Sequence, residues 1–169
     1  GIEQKLLSEH CKKIIIVNEA SYKLMKEHFS KELMKKAVLV RAAVELPEIT
    51  KKKPDKKQLQ IIFIGSIANP DDFLIKGGLE VLEIFRRISE EFNNVALVVR
   101  CKTPEDIKMK YKNVKNIKFI EENLSKEEFT KLLYSSDICL NPGHIYPLMA
   151  ALEPMSFGIP IIMLDTYGV

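Results

Sequence analysis

The sequence predicts an α/β fold with a doubly wound, mainly parallel sheet. Three observations carry that prediction. Apolar, β-branched runs punctuate the chain at regular distances. Segments of helical period lie between them. Capping residues mark where several of those helices begin or end. The 169 residues, 46% apolar and 29% charged, suffice for an ordinary globular core. That composition excludes a wholly disordered chain, a collagen and a coiled-coil rod.

The apolar runs are Ile14–Val17, Ala37–Val40, Ile61–Ile64, Val95–Val99, Ile117–Ile120, Ile138–Leu140 and Ile159–Leu164. Most are continuous rather than alternating, as expected of strands buried on both faces. Between Gly78 and Phe92, the residues Leu79, Leu82, Ile84, Phe85 and Ile88 recur at helical spacing. Thr103-Pro104-Glu105-Asp106 offers an N-cap, a proline at the first helical position and acids in the first turn. Ser125-Lys126-Glu127-Glu128 reads as a capping box, with Phe129, Leu132 and Leu133 on one face. A last helix is expected from about Tyr146 to Phe157, closed by Gly158 in a left-handed C-cap and disturbed at Pro154. Strand and helix in repetition imply right-handed βαβ units.

Charge is uneven. Residues 1–60 hold fourteen Lys and Arg against eight Asp and Glu, and the remainder is net acidic. The run Lys51-Lys52-Lys53-Pro54-Asp55-Lys56-Lys57 carries much of the excess. It lacks interleaved aromatics and reads as a solvated linker rather than a nucleic-acid site. Cys11, Cys101 and Cys139 are far apart and form no Cys-x-x-Cys pair, which argues against a disulfide scaffold or thiolate zinc site and for a cytoplasmic protein. No apolar run approaches the roughly 20 residues that span a bilayer.

In doubly wound sheets, ligands bind at the carboxyl ends of the strands. Four loops lie there. After Ile64 come Gly65 and Ser66, and later Lys76, Gly77 and Gly78 open a helix. An ammonium beside free helix N–H groups suits phosphate, although a surface lysine before a flexible cap has the same local sequence. Arg100-Cys101-Lys102 carries two cations without a glycine and reads as a solvated face. Glu121-Glu122-Asn123-Leu124 reads as acids favouring the next helix dipole. The densest loop is Asn141-Pro142-Gly143-His144, followed by a helix containing Glu153 among apolar residues. A carboxylate there needs a partner, for which a ribose diol or a backbone N–H pair would serve. No P-loop, G-x-G-x-x-G, H-E-x-x-H or G-x-S-x-G motif is present, and the three histidines have no metal-ligand spacing.

From Ile61 to Gly168 the chain resembles the C-terminal, donor-binding domain of retaining GT-B glycosyltransferases of family four, the glycosyl transferases group 1. The matching blocks are Phe63-Ile64-Gly65, Lys76-Gly77-Gly78-Leu79, Val114 to Phe119, and Leu132 to Ile138. The last is Leu152-Glu153-Pro154-Met155-Ser156-Phe157-Gly158-Ile159-Pro160, followed by Asp165 and Gly168. The resemblance implies a Rossmann-like half of a GT-B enzyme, incomplete at its C-terminal end. Residues 1–50 would be the tail of an N-terminal domain and the hinge run-in, 51–58 a lysine-rich linker, and 59–169 the donor domain.

Carried over by position, Lys76 would pair a diphosphate and Glu153 would hold ribose hydroxyls. Backbone near Gly65, Ser66 and Gly77 would approach the ligand, and amides near Leu148 and Met149 would meet phosphate oxygens. Asn123 and Leu124 would edge the nucleobase, with His144 beside the phosphates. The expected substrate is a nucleotide-sugar donor such as a UDP- or GDP-sugar, with no separate cofactor and no catalytic metal. The expected reaction is retaining hexosyl transfer to a glycan or lipid acceptor, with catalytic residues unassigned. Partners would be a missing N-terminal acceptor domain and, peripherally, a membrane surface, with no nucleic acid. As an isolated fragment the chain is expected to be inactive. Ser66 stands where the family usually has a second basic residue, and Ile145 replaces the first of two glutamates eight positions apart. These departures keep a second reading open, a non-catalytic GT-B-like binding or assembly domain. A flavodoxin- or receiver-like module would need companion acids at neighbouring strand ends, and Asp71 and Asp72 have none.

Overall fold

A computed structural model describes residues 1–47, 57–143 and 148–164. Residues 1–43 form one compact unit and residues 44–164 a second.

The first unit contains α1 (Ile2–Leu7), β1 (Ile14–Ile16), α2 (Glu19–His28), α3 (Lys31–Met34) and β2 (Ala37–Leu39). The two strands pair in parallel, Ile14 with Ala37 through Ile16 with Leu39. Asn18 and Ser30 cap α2 and α3 through their side chains. The Lys36 ammonium donates to the carbonyls of Leu6, Leu7, Ser8 and Cys11 at 2.9–3.1 Å. It thereby satisfies orphan acceptors at the carboxyl end of α1, where a cation also suits the helix dipole. Continuous apolar runs were expected to be buried on both faces, and here they are not: Ile15 is 67% exposed and Val38 39%. The reason is that the described residues supply helices to one face of this two-stranded sheet and leave paired Ile15 and Val38 on the other.

The second unit contains β3 (Leu59–Ile64), α4 (Asp71–Ile75), α5 (Gly78–Glu91), β4 (Val95–Arg100), α6 (Glu105–Lys110), β5 (Ile117–Ile120), α7 (Lys126–Tyr134), β6 (Ile138–Asn141), α8 (Leu148–Ser156) and β7 (Ile161–Met163). The strands form one five-stranded sheet in the order β5-β4-β3-β6-β7, and all neighbours are parallel. Successive crossovers run outward from β3 on one side, then return past it to β6. Strand order therefore reverses between β3 and β6, the place where such sheets open a crevice.

Side-chain alternation sorts the core into two layers. Ile61, Phe63, Leu97, Val99 and Leu140 pack with Phe73 of α4, Val81, Leu82 and Phe85 of α5, and Ile107 of α6. Ile62, Ile64 and Cys139 pack on the opposite face with Phe129 and Leu133 of α7, Ala150 of α8, and Ile159. The runs Ile61–Ile64 of β3 and Val95–Val99 of β4 are buried or half-buried throughout as the sequence predicts, whereas Leu59 at the start of β3 is 49% exposed and the edge strand β7 leaves Ile162 60% exposed.

Local signals mostly hold. The Ser125–Glu128 capping box forms with both bonds. Gly158 has φ +69°, the Gly158 N–H donates to the Met155 carbonyl, and the Ile159 N–H donates to the Pro154 carbonyl. These two bonds are a Schellman motif, so the turn closes the helix despite Pro154. The start of α6 differs from expectation. Pro104, not Thr103, is its N-cap, because the Thr103 hydroxyl donates instead to the Cys101 carbonyl at 3.1 Å. The α8 N-terminal boundary expected near Tyr146 lies outside the described residues, as does most of the lysine-rich run.

Cys101 and Cys139 are buried and Cys11 is half-buried, and all three are free thiols. Burial pushes Cys101 up to about 11 and Cys139 up to about 12. Only the thiolate is nucleophilic. Iodoacetamide near neutral pH should therefore modify Cys11 and spare the other two until the chain is denatured, as read by peptide mass spectrometry. Because both buried thiols ionise more readily in the unfolded chain, rising pH above about 9 should also erode stability.

Candidate functional site

The carboxyl end of β3 leads directly into Gly65 and Ser66. Gly65 is buried, and a Cβ there would lie 2.3 Å from Cys101 Sγ. Only glycine lets the ends of β3 and β4 close this tightly. The Gly65 N–H donates to the Arg100 carbonyl and the Lys102 N–H to the Ser66 carbonyl, both at 2.9 Å. The Ser66 hydroxyl accepts from the Ala68 N–H at 3.2 Å, so it shapes its own loop.

Lys76 ends α4, and Gly77 begins α5 as an N-cap with φ +80° and no side-chain cap bond. A left-handed conformation of this kind favours glycine. Gly77 also lies against Pro142, and Gly143 against the Lys76 backbone, with would-be Cβ contacts of 2.9 and 3.1 Å. The start of α5 and the loop after β6 therefore meet where the strand order reverses. The amino end of α5, where a helix's first N–H groups lack intrahelical acceptors, thus lies at this junction.

Arg100 closes β4. In register it neighbours Ile64, so it lies on the α7–α8 face of the sheet. Its guanidinium sits over the Phe129 ring at 5.5 Å and donates to the Gly65 carbonyl at 3.3 Å. Its Nε is buried and has no hydrogen-bond partner among the described residues. Glu153, half-buried on α8, feels this same guanidinium. Burial pushes its carboxyl above the usual carboxylate range and Arg100 opposes that shift. Cys101 feels burial first, then Lys76, Asp72 and Arg100. Lys76 acts on Cys101, and Arg100 acts on both Cys101 and Glu153; α4, which leads to Lys76, packs on one face of the sheet and α8, which carries Glu153, on the other.

Of the residues singled out from sequence, Lys76 and Gly77 stand against Pro142–Gly143, while Gly65 and Ser66 join the end of β3 to Arg100–Lys102 after β4. Leu148 and Met149 open α8, the helix that carries Glu153. Asn123 and Leu124 follow β5, on the far side of Arg100 from β3. His144 lies outside the described residues. Glu121 does not serve the α7 dipole as expected. It accepts from the Thr103 N–H at 2.7 Å and from Lys108 at 2.8 Å, and so ties the ends of β4 and β5 together. Burial would raise its pKa, but Lys108 and the Thr103 N–H together hold it below the usual carboxylate range.

Two residues were missed. Arg100 read as one of two solvated cations, and Asn141 as a loop residue. Asn141 ends β6, is 2% exposed, and its Nδ2 has no partner among the described residues. Strand parity could have flagged Arg100, since it continues the inward phase of Val98. Among the described residues no cluster of three or more His, Cys, Asp or Glu could hold a metal, and no helix is long and apolar enough to cross a membrane. A separate pocket of about 350 Å³ lies among Ser89, Asn93, Asn113 and Asn116. These residues flank the amino ends of β4 and β5, away from the loops above.

Known structures share this architecture. The chain is similar to TarM, with a TM-score of 0.73 and 15% identity over 98% of this chain and 32% of that one. A mutant of S. aureus TarM in complex with fondaparinux, alpha-GlcNAc-glycerol and UDP is similar at a TM-score of 0.69, 15% identity and coverage of 98% and 33%. A glycosyltransferase from Rickettsia africae gives 0.70 and 14% identity over 99% of this chain and 48% of that one. The C-terminal domain of the glycosyl transferase group 1 family protein LpcC from Francisella tularensis gives 0.53 and 21% over 62% and 57%. The chain thus spans about a third of TarM and about half of the other two. No protein-family model and no curated protein matches its sequence. The likeness defines the fold: an α/β unit with the architecture of the Rossmann-like half of a GT-B glycosyltransferase.

Proposed function

We propose that residues 44–164 bind the nucleoside diphosphate part of a sugar-nucleotide donor, in a parent protein that transfers a hexose to a glycan or lipid acceptor with retention. The observation that supports this reading is that Lys76 and the α5 N-terminus stand against the loop after β6, where strand order reverses, while Arg100 at the end of β4 acts on Glu153. Lys76 and the α5 N–H groups would take phosphate oxygens. Glu153 would accept two hydrogen bonds from a ribose diol, which supplies the partner a half-buried carboxylate needs. Asn123 and Leu124 would border the base. Fixed donors and cations of this kind stabilise the charge that develops on a departing nucleoside diphosphate. The complex of TarM with UDP supports the choice of ligand class.

Titration of the chain with UDP and GDP, followed by calorimetry or NMR, tests the reading. Binding in the millimolar range or tighter is expected, and Lys76→Ala should weaken it about tenfold or more, as loss of a charged hydrogen bond does. Absence of binding, or binding indifferent to Lys76→Ala, rejects it.

Glu153 adds a signed pH dependence. Its carboxyl is raised by burial, so it becomes protonated at a higher pH than an ordinary carboxylate. Ligand affinity should fall on acidification from a point above pH 4.5. Glu153→Gln should weaken binding and remove that dependence. Because the folded pKa is raised, the ionised carboxylate opposes folding above pH 4.5. The same variant should therefore melt no lower than wild type at neutral pH without ligand. A lower melting temperature with unchanged affinity would mark Glu153 as purely structural.

The second reading is a non-catalytic binding domain. It is favoured by Ile145 at the position of a family glutamate and by a Ser66 hydroxyl engaged in its own loop. Turnover of any sugar nucleotide by the parent protein eliminates it.

A further inference from the structure

We propose that Arg100 is itself a ligand-binding residue, its guanidinium taking a phosphate oxygen of the nucleoside diphosphate between Lys76 and Glu153. This inference rests on the proposed nucleotide site and adds a contact that the sequence did not indicate.

The placement comes from the sheet. Arg100 is the last residue of β4 and pairs with Ile64, the last residue of β3. Its side chain rises on the α7–α8 face at the carboxyl end, the same face that presents Glu153. Along the edge it stands between the Asn123–Leu124 loop after β5 and Gly65–Ser66 after β3. A nucleotide with its base at that loop and its phosphates toward Gly65–Ser66 would run along Arg100.

The guanidinium is held but not saturated. The Phe129 ring beneath it orients its plane, and one amino group leans on the Gly65 carbonyl at a long 3.3 Å. Its Nε is buried without a partner among the described residues. An orphaned buried donor is uncommon and calls for an acceptor. Glu153 is close enough to be felt but makes no ion pair with Arg100 within 4.0 Å. A cation and a carboxylate on one face that do not pair with each other suit a ligand with an anionic end and a hydroxylic end. A phosphate fits the fork of a guanidinium, which offers two parallel donors. Lys76 alone supplies one point charge, and a diphosphate carries at least two.

The test compares uridine with UDP, and guanosine with GDP, on wild type, Arg100→Gln and Arg100→Lys, with thermal melts alongside. The expected result is a ten- to hundredfold loss of diphosphate affinity in Arg100→Gln. Nucleoside affinity should stay within about twofold. Arg100→Lys should fall between, because it keeps the charge and loses the fork. Should Arg100→Gln fail to fold, the diphosphate-selective loss in Arg100→Lys decides. Equal weakening of nucleoside and diphosphate would overturn the proposal, since Arg100 would then act only by shaping Glu153. Unchanged diphosphate affinity would overturn it too, while leaving the nucleotide site standing. Failure of wild type to bind either diphosphate removes the site and this residue's role with it.

Discussion

Phe73→Ala lowers the stability of the 44–164 unit by about 3–5 kcal/mol, a large share of the 5–15 kcal/mol available to a typical domain. Phe73 is fully buried and meets Phe63 of β3 edge-on, with ring centroids 5.9 Å apart and planes at 85°. Such a pair adds about 0.5–1.5 kcal/mol beyond burial. The ring also supports the start of α5: a Cβ on Gly78 would lie 2.3 Å from it. α4 has five residues, too few to persist as a helix without tertiary contacts. Phe73 is the one buried residue of α4, and the helix ends in Lys76. The truncation should therefore also weaken nucleoside diphosphate binding, by loosening the segment that presents the ammonium. Guanidinium melts followed by circular dichroism measure the first effect, and Phe73→Leu should recover part of it. A loss below about 1 kcal/mol would show that α4 is held by something other than this ring.

Gly65→Val is the second large effect. Cys101 Sγ and Cβ lie 2.3 and 2.9 Å from the place where a Cβ would start. Both residues are buried, and the Cys101 thiol donates to the Ser66 carbonyl at 3.1 Å. Backbone bonds clamp the two strand ends on either side, so neither can swing away. Overpacking of this kind costs typically 1–3 kcal/mol and can exceed that where rigid backbone must move. The same displacement shifts the Gly65 carbonyl from under Arg100, so diphosphate affinity should fall with stability. Gly65→Ala combined with Cys101→Gly removes both clashing Cys101 atoms. It should be more stable than Gly65→Ala alone, a positive coupling that a double-mutant cycle measures. Strict additivity would locate the obstruction elsewhere.

The elements most legible in the sequence are those encoded by neighbours along the chain. The Ser125–Glu128 box and the Gly158 turn close within a few residues, and the β-branched runs of β3 and β4 mark strands by composition, although the partners they pair with lie far along the chain. Exposure of Ile15 and Ile162 was not legible, because it depends on which face of a strand receives a helix. Nor was the work of Glu121, whose partners Thr103 and Lys108 lie 18 and 13 residues away.

The candidate site divides along the same line. Lys76 before two glycines, and Glu153 on an apolar helix, stood out because each breaks a local expectation. A cation after an apolar strand breaks none, so Arg100 looked like a solvated residue. By itself the chain determined its alternation of strands and helices, and the residues at which the helices cap and stop, because those follow from backbone hydrogen bonds and periodicity. Tertiary structure alone decided that β4 lies beside β3, with Arg100 on the face of the sheet that α7 and α8 cover. That arrangement is set by strand order and by the return of the chain past β3 to β6. Both minimise exposed apolar surface over the whole unit, and no short window of residues can specify them.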